Sequence, residues 1–278
     1  MRLFKAKYYP FTVLCHNNND NNDIQIPYPL LRDDLGDVNL YCVSPLHGRS
    51  FVLGKNSNGR WIISKGNGLS YSSHRFLNTG ITDNYLWGVL PKHNAIRDFE
   101  IGIEVGDLGI KTNLMEFVLE INCTINDQIT NPCLLQYSVE CPYRICDFAF
   151  MSKNIIHKYL RTWELMNDHN FNNYYLIAAN ILIRNLRIMH DNGVMHNAIN
   201  PQNYTWALEL VDFEGSRTNK MPYSNKEYES HIANLIQGEI IQTYQVINYI
   251  AYCLRESIDF KIVDKLFYQY GFDLNKYH

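Results

Sequence analysis

The stretch from 172 to 215 constrains this chain more than any other. Ile177, Ile181, Leu182, Leu186 and Met189 recur at three- and four-residue intervals. That spacing spreads apolar side chains widely around a helix and predicts one that is largely buried. The pattern stops at Asp191-Asn192-Gly193, where glycine supplies the left-handed backbone of a helix end. A polar loop follows, His196-Asn197-Ala198-Ile199-Asn200-Pro201-Gln202-Asn203, with proline as its punctuation. The short apolar run 206–211 reads as part of a hairpin, closed by Asp212-Phe213-Glu214-Gly215. A helix buried on most sides needs a large surround. The 278 residues supply it, with room for one large domain or two small ones at about 150 residues each.

The chain changes character along its length. From 39 to 140 it is strand-prone, with short β-favouring runs at Tyr41-Cys42-Val43, Ser50-Phe51-Val52-Leu53 and Trp61-Ile62-Ile63-Ser64, and longer ones at 115–121 and 133–139. GKNSNG between the second and third runs has the Gly and Asn of a hairpin loop. One helix is expected within 93–107. From 151 onward the pattern is helical. A second long helix is expected from about 226 to 256, with Ile232, Leu235, Ile236, Ile240, Tyr244, Ile247, Ala251 and Leu254 as its stripe. The expectation is an α+β fold in two lobes, a β-rich N-lobe over 1–140 and a helical C-lobe over 141–278. Ligands of such folds often sit in the cleft between lobes. NNNDNND at 17–23 reads as a surface loop.

Apolar residues make up 46% of the chain, which excludes general disorder, and the net charge of −3 argues against nonspecific nucleic-acid binding. Seven cysteines at 15, 42, 123, 133, 141, 146 and 253 contain no CxxC pair. That spacing disfavours a zinc site or a disulfide framework and favours idle thiols in a reducing cytoplasm. The N-terminus lacks the apolar core of a signal peptide, and no run approaches the 18 apolar residues of a membrane span. No membrane partner is expected.

A buried helix, a polar loop, a hairpin and an Asp-Phe-x-Gly turn occur in the order used by kinase-like folds. There the loop Asn and the turn Asp hold a divalent metal on nucleotide phosphates. The corresponding pair is Asn203 and Asp212, and hard oxygen donors of this kind suit Mg2+ or Mn2+. The plain alternative is a surface Asn and a hairpin-end Asp with no ligand. Ala198 stands where kinases place the Asp that orients the substrate hydroxyl. The chain is therefore a dead kinase or one that uses the fold differently.

The loop resembles that of the selenoprotein O family, protein-AMPylating pseudokinases that also lack that Asp. Theirs runs His-Gly-Val-Met-Asn-x-Asp-Asn and then Asp-Tyr-Gly, with the same spacing as His196, Asn203 and Asp212. GRSFVLGKNSNGRWIISKGNGLSYS at 48–72 is similar to the family's Gly-Arg-Ala-x-x-Leu-Gly, Gly-x-x-Trp and Leu-Lys-Gly-x-Gly-x-x-x-Tyr-Ser. AIRDFE at 95–100, DLGIKT at 107–112 and PYRICDF at 142–148 resemble further family motifs. The likeness runs from about 45 to 215. The C-terminal GFDLNKYH lacks the redox Cys that names the family.

The resemblance implies a two-lobed protein-kinase-like fold and assigns roles by position. Lys65, with Gly66 and Gly68 behind it, becomes the phosphate-contacting lysine. Asp98 becomes its helix partner, with Glu100 as the alternative if the helix is rotated. Arg144 matches one of two family arginines on the terminal phosphate of an inverted nucleotide. The other position is Tyr137, with Arg49 and Arg75 as stand-ins. The family's proposed base becomes Gln202, which cannot take a proton, and His196 is expected to brace the loop. The implied activity is metal-dependent transfer of AMP from ATP, bound as substrate, to a hydroxyl of a protein or peptide. A nucleotide-binding regulatory or adaptor pseudokinase is the alternative. Phosphotransfer to a small molecule is the weakest reading, because of Ala198.

Overall fold

Side-chain alternation sets the first strands. In β1 (Arg2–Tyr8) Phe4 and Ala6 are buried while Leu3, Lys5 and Lys7 are exposed, the period-two pattern of a sheet covered on one face. The computed structural model describes residues 2–17, 26–42, 49–68, 88–125, 129–167, 173–220 and 225–277. Among the described residues six strands precede the first helix: β1, β2 (Phe11–His16), β3 (Leu30–Arg32), β4 (Val38–Cys42), β5 (Ser50–Lys55) and β6 (Trp61–Lys65). After α1 (Lys92–Asp107) come β7 (Leu114–Ile121), the short pair β8 (Thr124–Ile125) and β9 (Ile129–Thr130), and β10 (Cys133–Val139).

Eight of these strands form one antiparallel sheet in the order β2-β7-β10-β6-β5-β4-β1-β3. Strand β10 is buried along its whole length. Phe4, Ala6, Leu30, Leu40, Cys42 and Phe51 form one core cluster, and Leu31, Phe117, Leu119, Ile121 and Leu134 another. The β5–β6 hairpin closes as its sequence demands: Gly59 takes φ 77° and Asn56 accepts the Arg60 amide on its side chain. Strands β1 to β3 lie before residue 39, ahead of the region that reads as strand-prone.

Helices dominate the rest: α2 (Lys153–Asn167), α3 (Tyr174–Asp191), α4 (Asn225–Leu254) and α5 (Phe260–Gln269), with the two-residue strands β11 (Val194–Met195) and β12 (Arg217–Thr218) pairing around the loop that follows α3. Helix α3 is buried on nearly every side and packs against α2, α4 and α5. Gly193, at φ 69°, ends it, and a Cβ there would meet the Asn219 side chain at 2.6 Å. The class is α+β, with a β-rich amino-terminal region and a helical carboxy-terminal one. The chain divides into two compact units, 1–104 with 112–142, and 105–111 with 143–278. Val43, residues 18–23 of the Asn-rich run and Arg75 lie outside the described residues.

Candidate functional site

In the first unit Lys65 closes β6, with Ser50 of β5 and Leu135 of β10 as its cross-strand neighbours. Its Nζ lies 2.7 Å from Asp98 Oδ2 on α1, and the two side chains are 4% and 1% exposed. Helix α1 turns Ala95, Asp98, Phe99, Ile101 and Val105 inward, the three-and-four spacing of one helix face. Glu100 is on the exposed side, so Asp98 is the residue this helix presents to Lys65. Burying both charges is costly unless they meet each other, which they do here.

The turn after Lys65 needs its glycine. Gly66 has φ 99°, and a Cβ there would sit 2.6 Å from the Cys133 carbonyl oxygen and 2.9 Å from Leu90 Cβ. The Arg49 carbonyl accepts both Gly66 N–H and Asn67 N–H, which brings Arg49 beside this turn through its backbone. Gly68, at φ 94°, donates its N–H to the Gly88 carbonyl. Tyr137 is buried and pairs with Ile63, so it lies on the same sheet face as Lys65.

The second unit holds Arg144, the 196–203 loop and Asp212. His196 is fully buried. Its Nε2 is 3.0 Å from the Val211 carbonyl, its ring packs at 5.1 Å on Phe213, and its own carbonyl accepts Ser216 Oγ–H. It braces the loop against the residues on both sides of Asp212. Val211 N–H donates to the Asn203 carbonyl, so the backbone of Asn203 is tied to the residue before Asp212. Asn203 Nδ2 donates to the Ala198 carbonyl at 2.9 Å. That bond occupies an amide hydrogen and leaves the acceptor capacity of the amide oxygen to other partners. Asp212 is half-buried and left-handed, at φ 71° and ψ 66°, opening the short 3-10 turn Phe213–Gly215. Asp tolerates that backbone better than most residues.

An amide oxygen and a carboxylate are hard donors and fit Mg2+ or Mn2+. Among the described residues no group of three or more His, Cys, Asp or Glu side chains gathers at one point, so a cation here would complete its shell with phosphate oxygens and water. Arg144 is committed locally: its Nη1 donates to the Gln202 carbonyl at 3.1 Å, and its backbone bridges Thr205. The run 206–211 closes on one bridge, Tyr204 with Leu210, around Leu208 at φ 54°. Thr205 N–H to the Glu209 carbonyl and Val211 N–H to the Asn203 carbonyl complete a short antiparallel hairpin.

The sequence reading missed the supports of this loop. Glu239 on α4 accepts Asn197 N–H on Oε1, and its Oε2 lies 2.7 Å from His190 Nε2. Gln242, one turn on, accepts Ile199 N–H. Glu239 adjoins Ile240 in the apolar stripe of α4, and a carboxylate bordering a buried stripe was the available signal.

The parts occur in a kinase-like order: a strand-end lysine, an acidic partner on a later helix, a buried helix, an Asn-bearing loop and an Asp-Phe-x-Gly turn. No protein-family model matches the chain, and no curated protein does. Among solved structures it is similar to the Toxoplasma gondii specific rhoptry antigen kinase domain, at 12% identity over 85% of this chain and 76% of that one, with a TM-score of 0.41.

Proposed function

We propose that this chain is a kinase-like nucleotidyltransferase that moves AMP from ATP to a hydroxyl of a protein or peptide with the help of a divalent cation. The observation that supports the reading is the tie between the two halves of the pair: Asn203 Nδ2 donates to the Ala198 carbonyl, and the Asn203 carbonyl accepts the N–H of Val211, the residue before Asp212. The residue that would orient a hydroxyl for γ-phosphoryl transfer is the same Ala198, which supplies a backbone acceptor and no carboxylate. The cation, when bound, neutralises charge on the phosphate oxygens. Lys65, oriented by Asp98, contacts the outer phosphates of an inverted nucleotide. Asn203 and Asp212 would hold the cation. The acceptor hydroxyl oxygen bonds to the α-phosphorus, the bond to the bridging oxygen breaks, pyrophosphate leaves with that electron pair, and the hydroxyl proton passes to water.

A second reading, a nucleotide-binding module without transfer, is favoured by Arg144: its guanidinium is spent partly on the Gln202 carbonyl, and Gln202 is no base. Incubation of the full chain with ATP labelled at the α- or the γ-phosphate separates the two. Transfer of the α-label alone to protein supports nucleotidyl transfer. Transfer of the γ-label alone overturns it, and binding without transfer establishes the module.

A further inference from the structure

Away from these residues, helix α2 carries a concavity of about 420 Å3 whose described lining is Asn154, His157, Lys158, Arg161 and Thr162. The five recur at three- and four-residue steps and so share one helix face. Three of them are basic and none is acidic. Tyr174, at the start of α3, holds two of them in place. The His157 ring stacks flat on it, centroids 4.0 Å apart and planes 3° from parallel. Arg161 Nε donates to the Tyr174 hydroxyl at 2.7 Å, and the guanidinium lies over the ring. Among the described residues nothing else takes the Nη nitrogens of that fork, which remain as donors.

Glu256, whose charge acts on His157, is engaged: both its oxygens accept backbone N–H groups, from Tyr174 and Tyr175. Lys153 points to the Leu254 carbonyl. Burial, with Arg161 and Lys153 close by, holds the His157 imidazole below its ordinary range, against an opposing pull from Glu256. The described lining thus brings three basic side chains and no carboxylate to one helix face, a set that an anion would complement.

We propose that this concavity is a docking site for a phosphate monoester carried on a peptide, bound by Arg161, Lys158 and His157. A phosphate monoester brings close to two negative charges and three strong acceptor oxygens on one compact group. Two fixed cations and a histidine that gains a proton on binding match that charge. A side-chain carboxylate offers one charge and two oxygens, and leaves part of the cluster unmatched. Arginine suits the geometry because its planar fork donates two parallel bonds to such oxygens.

The test uses the full chain and isothermal titration calorimetry. The probes are a short glycine-alanine peptide around one phosphoserine, the same peptide with serine or glutamate at that position, and inorganic phosphate. Phosphatidylcholine vesicles with and without phosphatidylserine form a further arm. The phosphoserine peptide is expected to bind best, and Lys158→Glu, on an exposed side chain, to weaken it by about tenfold or more with an unchanged melting temperature. Arg161→Gln is expected to weaken it as well. Saturating phosphopeptide should raise the His157 pKa followed by NMR. Equal binding of the glutamate peptide, binding of the anionic vesicles in preference to the peptide, undiminished binding by Lys158→Glu, or an unmoved His157 would each overturn the proposal.

Discussion

Lys65 Nζ lies 2.7 Å from Asp98 Oδ2 with both side chains withdrawn from solvent, so stability and chemistry at this pair are separable. Lys65→Ala alone removes the ion-pair partner of a buried carboxylate and should cost about 3–5 kcal/mol of stability. The double variant Lys65→Met with Asp98→Leu fills the space with apolar atoms and should recover most of that loss in chemical denaturation. Neither variant should transfer label from ATP. A double variant that regains both stability and transfer would show that Lys65 has no part in the reaction.

Asp212 stands at φ 71°, a conformation Asn also adopts readily. Asp212→Asn therefore removes the charge without straining the backbone. ATP with Mg2+ at about 100 times the dissociation constant should stabilise the wild type by roughly 2.7 kcal/mol. The variant should show a smaller shift, and the wild type a smaller one without the cation. Equal shifts in wild type and variant would remove Asp212 from the site.

Glu239 holds the loop from beneath, with one carboxylate oxygen on Asn197 N–H and the other at His190. Glu239→Ala strands two partners, each worth about 1–3 kcal/mol when buried and unsatisfied. Glu239→Gln keeps an acceptor for Asn197 and should be milder. Amide exchange at Asn197 and Ile199 should speed up in the alanine variant. Unchanged exchange there would mean that the loop stands without α4.

Local rules made some of this legible in the sequence. The apolar spacing of α3 and its stop at Gly193 involve neighbours within a turn or two, as does the β5–β6 hairpin around Asn56 and Gly59. Strands β1 to β3 escaped notice because their partners are remote: Arg2 pairs with Cys42 and Ala6 with Arg32. Strand β2, at the sheet edge, exposes Phe11 and Val13, which blurs the alternation that would mark it. Lys65 and Asp98 are 33 residues apart, and no periodicity links them; a motif resemblance singled them out. The short hairpin of 203–211 was legible as a polar turn into an apolar run, but composition does not foretell the left-handed Leu208 at its tip. Glu239 went unmarked because its hydrogen bond to the loop spans 42 residues.

Glu116 gives a pH dependence of known sign. It is 1% exposed, accepts a hydrogen bond from Gln136 Nε2 at 2.9 Å, and burial raises its pKa despite the lowering influence of Gln136 and Arg60. With the folded pKa above the unfolded one, folding favours the protonated carboxyl. That contribution is whole below the ordinary glutamate value of about 4.3 and is lost as pH rises through the folded pKa. Glu116→Gln should therefore raise the melting temperature above that window, with the gain fading as pH falls through it. A gain that grows with acidity would contradict the assignment.

Ala198 offers the sharpest test of which phosphorus reacts. Its carbonyl accepts both Asn200 Nδ2 and Asn203 Nδ2, and those bonds use the backbone, so Ala198→Asp can leave them in place while adding a carboxylate at the kinase base position. In a kinase pose that carboxylate would meet an acceptor hydroxyl in line with the γ-phosphate, and proton transfer of this kind is worth about 10²–10⁴-fold in rate. In an inverted pose the new carboxylate meets the α-phosphate instead, where its negative charge opposes the phosphate oxygens. The expected outcome is no γ-label transfer and a reduced α-label rate. A γ-transfer rate that rises by about 100-fold or more in the variant would show an ordinary kinase site that lacks only its base.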